Sequence, residues 1–123
     1  MNKTPPLISI VIPVYNEEKN LEALIGRLRP VVRSIGKPYE IILIDDGSRD
    51  GSLEILKGFT SDSDIRVVEL TRNYGQHAAI MSGFSIVRGE IVVTLDADLQ
   101  NPPEEIPRLI AVIFTTKRCQ EWT

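Results

Sequence analysis

The chain has 123 residues, the length of a single domain, and its 42% hydrophobic and 25% charged residues are ordinary for a globular protein. This composition excludes collagen-like and disordered chains, and the single cysteine, Cys119, excludes a disulfide scaffold. A formal net charge of −3 offers no basic surface to nucleic acid. No apolar run reaches the ~18 residues of a membrane span and residues 1–6 lack a signal-peptide core, so we expect a cytoplasmic domain.

Four apolar segments rich in β-branched residues predict the strands of a buried parallel sheet. Residues 7–14, 41–44 and 91–95 are almost unbroken apolar runs, which is typical of strands that helices cover on both faces. Residues 65–70 alternate more between apolar and polar side chains. We therefore place this third strand nearer an edge of the sheet.

The segment between the first two strands predicts a long helix that ends at Gly36. Its apolar residues, from Leu21 to Ile35, recur with a period near 3.6. Pro30 lies inside this pattern and costs about 3 kcal/mol in a straight helix, because it has no N–H and its ring clashes with the preceding turn. We therefore expect a kink or a break over residues 26–30.

Three further helices follow the remaining strands. One begins near Asp50, one spans residues 76–87, and residues 101–105 are typical of a helix start, with proline in the first turn and acids at the positive end of the dipole. The helix over 76–87 is expected to pack through Ile80, Met81, Phe84 and Val87. Strands that alternate with helices predict a three-layer, Rossmann-like α/β fold with a mainly parallel sheet in the order 3-2-1-4.

Acidic residues follow three of the four predicted strands. Glu17 follows the first strand, residues 45–46 follow the second, and Asp96 and Asp98 follow the fourth. The carboxyl ends of parallel strands share one edge, where open α/β sheets bind ligands. Carboxylates gathered there repel each other unless a cation neutralises them, and Asp98, Gln100 and Asp96 carry the hard oxygen atoms that Mg²⁺ or Mn²⁺ prefers. The same residues also suit turns and helix caps, so a purely structural interpretation stays open.

Other candidate residues lie near the same edge. Tyr15 suits either packing or stacking on a base, Arg72 is a candidate for pairing with a phosphate, and His77 is a less favoured general base in the first turn of a helix. No G-x-G-x-x-G follows the first strand and no G-x-x-x-x-G-K-[ST] occurs in the sequence. The pattern therefore argues against dinucleotide oxidoreductases and P-loop kinases, and favours phosphates held by a metal.

The motifs at the strand ends resemble those of inverting family 2 glycosyltransferases of the GT-A fold. The matching stretches are IVIPVYNE at 10–17, DDGS at 45–48 and DADLQNPPE at 96–104. RNYGQH at 72–77 resembles the subgroup that acts on polyprenyl phosphates, including enzymes of lipid A modification and polymyxin resistance. Dolichol-phosphate mannose synthases share most of these motifs. The resemblance implies a UDP-sugar donor, a polyprenyl-phosphate acceptor and, for full-length members, a place at the cytoplasmic face of the inner membrane.

The resemblance also implies a role for each matching residue. The implied nucleotide-sugar ligands are Pro13, Tyr15 and Glu17 in the pocket, Ile44 and Asp46 at the base and ribose, and Asp96 and Ala97 along the sugar nucleotide. Asp98 and Gln100 are implied to hold Mg²⁺ or Mn²⁺ against the diphosphate, with Asp96 and Asp98 as the catalytic residues. The implied reaction is attack of the lipid phosphate on the anomeric carbon, which needs no strong base because the phosphate is already ionised.

The resemblance fades after Ile113, whereas enzymes of this family continue well beyond this length. The sequence therefore predicts a nucleotide-sugar-binding half domain at residues 1–113 and an unrelated tail at 114–123, as truncation would leave, with little transfer to polyprenyl phosphate by this chain alone. A non-catalytic nucleotide-binding remnant is an alternative. A receiver-like interaction module is a weaker alternative, because such a module needs a lysine after a strand and none follows one here.

Overall fold

A computed structural model describes residues 6–100 and 102–110, which form a four-stranded sheet between helices. The elements in chain order are β1 (Ile8–Val14), α1 (Leu21–Ser34), β2 (Tyr39–Asp45), α2 (Ser52–Gly58), β3 (Ile65–Glu69), α3 (Gln76–Phe84) and β4 (Ile91–Thr94). A 3₁₀ turn at Pro103–Glu105 follows, and residues 106–110 are helical. The predicted boundary between residues 113 and 114 lies outside the described residues.

The sheet is parallel throughout and has the order β3-β2-β1-β4, which confirms the predicted topology. Ile10 of β1 lies opposite Ile41 of β2 and Val93 of β4, so β1 is a central strand. β1 and β2 are buried on both faces, as their unbroken apolar runs predict. β4 is buried on one face only, because Val92 and Thr94 are exposed, so the same prediction for residues 91–95 is wrong. β3 lies at one edge of this sheet, as predicted.

Two hydrophobic clusters cover the two faces of the sheet. The larger one joins side chains of β1 and β2, such as Ile10 and Ile41, to Leu24 and Leu28 of α1. The smaller one lies under α3 and contains Val11, Ile42, Ile44 and Ala79. Within the described ranges, no helix has the length and apolar character to cross a membrane.

Helix α1 is continuous through Pro30, so of the two predicted outcomes over residues 26–30 a break is wrong, and a kink stays a prediction. The carbonyl that loses its hydrogen bond is that of Gly26, four residues earlier, and both residues are exposed, so water can replace the missing donor. Leu24, Leu28 and Val32, on both sides of the proline, are fully buried. Burial stabilises by about 1.5–3 kcal/mol per such side chain and exceeds the cost of the proline.

Helix α3 approaches the sheet through its smallest residues. Its buried residues are Ala79 and Gly83. A Cβ atom on Gly83 would lie 2.7 Å from a methyl group of Val11 and 2.8 Å from the Cδ1 atom of Ile44. The helix therefore contacts β1 and β2 at a distance that a larger residue at position 83 would prevent.

The predicted packing face of α3 is wrong for two of its four residues. Met81 and Phe84 are 50% and 39% exposed, and only Ile80 and Val87 are half-buried. The helix also ends at Phe84, three residues before the predicted end. The apolar period selected the large side chains, whereas the close approach of the backbones left room only for small ones.

Candidate active site

A cavity of about 430 Å³ opens at the carboxyl edge of the sheet, between the ends of β1, β2 and β4 and the start of α3. Seven of the nine residues predicted to bind donor or metal line it, namely Pro13, Tyr15, Glu17, Asp46, Asp96, Ala97 and Asp98. Acids from the ends of non-adjacent strands β2 and β4 therefore share one cavity, as the position of acidic residues after the strands predicts.

The other two predicted residues lie beside the cavity. Ile44 is fully buried and belongs to the cluster under α3, where its side chain is close to Gly83. Gln100 is exposed, and its backbone N–H donates to the Oδ1 atom of Asp98 at 3.1 Å. The roles of both residues in binding stay predictions.

The loop after β1 and the loop after β2 are hydrogen-bonded to each other. The backbone N–H of Asn16 donates to Ser48 Oγ at 3.0 Å, and that of Glu17 donates to Ser52 Oγ at 2.8 Å. The side chain of Asn16 in turn accepts the N–H of Arg49 at 2.8 Å. These reciprocal bonds hold the part of the β1 loop that lines the cavity.

Asp45 is the last residue of β2 and Asp46 follows it, and the two aspartates have the two different roles that the sequence left open. Asp45 is buried, and its Oδ2 atom accepts the N–H of Ser48 at 3.2 Å, so it serves the turn. Asp46 lines the cavity instead. Asp46 is 2% exposed, and its carboxylate accepts the N–H of Tyr74 at 2.8 Å and that of Gly75 at 3.0 Å.

The segment before α3 contributes residues to the cavity for which the sequence predicted no binding role. Asn73, Gly75 and Gln76 all line it. The Asn73 side chain donates to the carbonyl oxygen of Asp46 at 3.1 Å and to its Oδ2 atom at 3.2 Å. The sequence held two indications of a binding role for these residues. They follow β3 at the same sheet edge as the acids, and they belong to the stretch at 72–77 that carried the family resemblance.

The loop after β4 contacts both the cavity and the larger hydrophobic cluster, and Ala97 belongs to both. Ala97 is buried, and Leu99 packs against the larger hydrophobic cluster although its φ of 65° is unusual for a residue with a side chain. Asp96 and Asp98 lie on the cavity side. The Oδ1 atom of Asp96 accepts the side-chain amide of Gln76 at 3.2 Å.

The donor set at this loop suits a divalent cation that shares its ligands with a substrate. No group of three or more histidine, cysteine, aspartate or glutamate residues is placed to hold a metal by itself in residues 6–100 and 102–110. The cavity instead has two neighbouring carboxylates, those of Asp96 and Asp98. Mg²⁺ is commonly bound in this way, through one or two carboxylates together with water and phosphate oxygens.

Of the three other candidate side chains from the sequence, only that of Tyr15 belongs to a residue that lines the cavity. Tyr15 lines the cavity and is 42% exposed, which leaves its ring available for stacking. The guanidinium of Arg72 lies 4.9 Å from the centre of the Tyr74 ring. His77 is exposed in the first turn of α3, outside the residues that line the cavity.

Known proteins resemble this chain in sequence over most of its length. The sequence profile described as Glycosyl transferase family 2 matches residues 9–119. An undecaprenyl-phosphate 4-deoxy-4-formamido-L-arabinose transferase of Pectobacterium atrosepticum is 59% identical over 105 residues, which cover 84% of this chain and 32% of that protein. The chain spans about a third of the length of the curated relatives it matches.

Two solved structures have similar folds. Glucosyl-3-phosphoglycerate synthase from Mycobacterium tuberculosis, solved with UDP, is 30% identical with a TM-score of 0.70, over 89% of this chain and 40% of that one. A mannosyltransferase from Pyrobaculum calidifontis, solved with GDP-Man and Mn²⁺, is 23% identical with a TM-score of 0.70, over 88% of this chain and 32% of that one. Both alignments support the α/β fold of glycosyltransferases.

Proposed function

Since this chain belongs to the Glycosyl transferase family 2, we propose that its cavity is the donor site of an enzyme that transfers a sugar from a UDP-sugar to undecaprenyl phosphate. The observation that carries the proposal is the meeting of Asp46, Asp96 and Asp98 with the exposed ring of Tyr15 at one cavity. A relative of 30% identity was solved with UDP, which favours uracil as the base of the donor.

The proposed sugar is 4-deoxy-4-formamido-L-arabinose, because relatives that are 56–59% identical to this chain carry that sugar in their names. The enzyme would then act in lipid A modification and polymyxin resistance, at the cytoplasmic face of the membrane that holds the acceptor. Transfer of another sugar to a polyprenyl phosphate, as in dolichol-phosphate mannose synthases, is the alternative within the same family.

The residues of the cavity divide into two groups in this proposal. Pro13, Tyr15 and Glu17 form the nucleotide side, with Tyr15 stacking on the base, and Ile44 and Asp46 complete the surroundings of the base and ribose. Because Ile44 is fully buried, any contribution from it acts through its backbone or through packing.

Asp96 and Asp98, with Ala97 between them, form the diphosphate side of the cavity. Asp98, with Gln100 beside it, would hold Mg²⁺ or Mn²⁺, which supplies positive charge to the departing diphosphate when bound. The backbone N–H of Gln100 holds one carboxylate oxygen of Asp98. Asp98 itself is exposed and lines the cavity. Asp96 and Asp98 are therefore the residues to which we assign catalysis.

The transfer itself needs little proton chemistry from the protein. An oxygen of the acceptor phosphate forms a bond to the anomeric carbon while the bond from that carbon to the UDP oxygen breaks, with inversion. The attacking phosphate is ionised at neutral pH, so no general base has to remove a proton. Catalysis then depends on alignment and on charge around the diphosphate.

Donor binding without transfer is the second candidate function. It is favoured by the fact that, among residues 6–100 and 102–110, those that line the cavity lie between Pro13 and Asp98, so this stretch supplies the residues that the proposed donor site needs. Transfer of label from a radiolabelled UDP-sugar to undecaprenyl phosphate separates the two candidates.

Calorimetric titration of the chain with UDP in the presence of Mn²⁺ tests the donor site. We expect UDP to bind, GDP to bind more weakly, and Asp98→Ala to lose the effect of Mn²⁺ on the affinity. Glu54→Ala removes an exposed acid of α2 and serves as the matched control. Equal affinity for UDP with and without Mn²⁺, or an equal loss in both variants, would contradict the metal assignment.

A further inference from the structure

Asp46 and Asp96 follow strands that are not neighbours, because β1 lies between β2 and β4. One short stretch of chain nevertheless contacts both acids. It consists of residues 73–76, which precede and begin α3, and we call it the 73–76 segment. It connects the nucleotide side of the cavity to the diphosphate side.

The Asp46 end of the 73–76 segment is held by a buried carboxylate. Asp46 accepts two backbone N–H groups and one side-chain N–H from residues 73–75, at 2.8–3.2 Å. The next residue, Gly47, packs directly on the same backbone, since a Cβ atom there would lie 2.4 Å from the backbone nitrogen of Asn73. The start of α3 therefore has a fixed position relative to β2.

The other end of the segment reaches Asp96. Gln76 is the first residue of α3, and its Nε2 atom lies 3.2 Å from the Oδ1 atom of Asp96. A carboxamide donates a hydrogen bond without carrying a charge. The Gln76 side chain can therefore orient the Asp96 carboxylate without changing the negative charge of the cavity. An arginine or lysine at position 76 would offset that charge.

We propose that Gln76 is a positioning residue of the donor site. Its side-chain hydrogen bond orients Asp96, and the hydrogen bonds of Asp46 to residues 73–75 hold the start of α3 in place for it. The proposal rests on the proposed function, because it assigns Gln76 a role in the binding of the UDP donor. It requires that Gln76 affects UDP affinity through Asp96 and not by a separate contact with the nucleotide.

A double-mutant cycle on UDP affinity, measured with the full chain and Mn²⁺, tests this route. We expect Gln76→Ala to weaken UDP binding about three- to tenfold, the size of one lost hydrogen bond. The variant that combines Gln76→Ala with Asp96→Ala should bind no more weakly than Asp96→Ala alone, because the partner of Gln76 is already gone. Met81→Ala, an exposed residue of the same helix, is the control and should bind as the wild type does.

A spectroscopic readout distinguishes positioning from general stability. The side-chain amide resonance of Gln76 in the ¹H–¹⁵N spectrum of the chain without ligand should move in Asp96→Ala and stay in place in Glu54→Ala. Gln76→Glu keeps the shape but puts a second negative charge beside Asp96, so it should weaken UDP binding more than Gln76→Ala does.

The outcomes separate this proposal from the proposed function. A wild-type chain that binds no UDP overturns the proposed function and this proposal with it. UDP binding that Gln76→Ala leaves unchanged, additive losses in the double-mutant cycle, or a Gln76 resonance that ignores Asp96→Ala overturns the role of Gln76 alone.

Discussion

Gly47 and Asn73 meet backbone to backbone at the rim of the cavity. Gly47 has a φ of 70°, and a Cβ atom on it would lie 2.4 Å from the backbone nitrogen of Asn73. Real Cβ atoms do not approach other atoms this closely, so the loop after β2 and the segment before α3 can adopt this arrangement only around a glycine. The contact joins the DDGS stretch at 45–48 to the 73–76 segment, which lines the cavity.

Replacement of Gly47 by alanine is therefore expected to damage both stability and donor binding. A left-handed conformation costs a residue with a side chain roughly 1–2 kcal/mol, and the displacement of Asn73 adds to this. We expect the free energy of unfolding to fall by more than about 2 kcal/mol in urea denaturation, together with weaker UDP binding. Gly36→Ala is the matched control, because Gly36 has a φ of 76° with nothing within 4 Å of its Cβ position. An equal loss in both variants would contradict a role for the contact with Asn73.

A second glycine pair tests the close approach of α3 to the sheet. Gly83→Ala should destabilise the chain by about 1–3 kcal/mol, because the added methyl would overlap side chains of Val11 and Ile44. Gly26→Ala changes a helical glycine that is exposed and has open space around it, so the better helix propensity of alanine should stabilise by up to about 1 kcal/mol. Urea denaturation of the two variants should give shifts of opposite sign, and shifts of the same sign would contradict the packing of α3.

The sequence predicted the four strands and their order because long apolar runs and right-handed crossovers leave few alternatives. It also predicted that acids from β2 and β4 would meet, since the carboxyl ends of parallel strands share an edge. It missed the packing face of α3, because periodicity does not reveal how closely two backbones approach, and Gly83 rather than Phe84 carries the contact. It missed Gln76 for a related reason, since the hydrogen bond to Asp96 depends on where the helix start lies in three dimensions.

The buried Glu40 gives a prediction for the dependence of stability on pH. It accepts hydrogen bonds from Ser9 Oγ at 2.6 Å, from Arg66 at 2.9 Å and from the backbone N–H of Arg88 at 2.7 Å. Burial alone would raise the pKa of Glu40, but these bonds outweigh it, so the pKa lies below its ordinary value. The carboxylate thus stabilises the fold above the unfolded-state pKa of about 4.3, and the contribution is lost as the pH falls through the lower pKa of the folded state.

Glu40→Gln should accordingly lower the free energy of unfolding at pH 7 by about 1–3 kcal/mol, because it removes a charge-assisted acceptor from a buried network. The difference from the wild type should shrink as the pH falls below about 4. Urea denaturation at several pH values measures it, with the exposed Glu54→Gln as the control. A difference that stays constant from pH 7 to pH 3 would show that the ionised carboxylate contributes nothing specific.

Pro30 lies inside α1 and has no N–H, so the helix lacks one backbone hydrogen bond there. Pro30→Ala restores an N–H that can donate to the carbonyl of Gly26 and removes the clash of the ring with that turn. Because Pro30 is exposed, little packing is lost, and the buried residues Leu28 and Val32 keep their contacts. We expect the free energy of unfolding to rise by about 1–3 kcal/mol, less than the full interior penalty because alanine also gains freedom in the unfolded chain. Glu22→Gln, an exposed change in the same helix that keeps the backbone hydrogen bonds, is the control. A loss of stability in Pro30→Ala would show that the proline is needed for the shape of α1 and that its missing hydrogen bond carries no net cost.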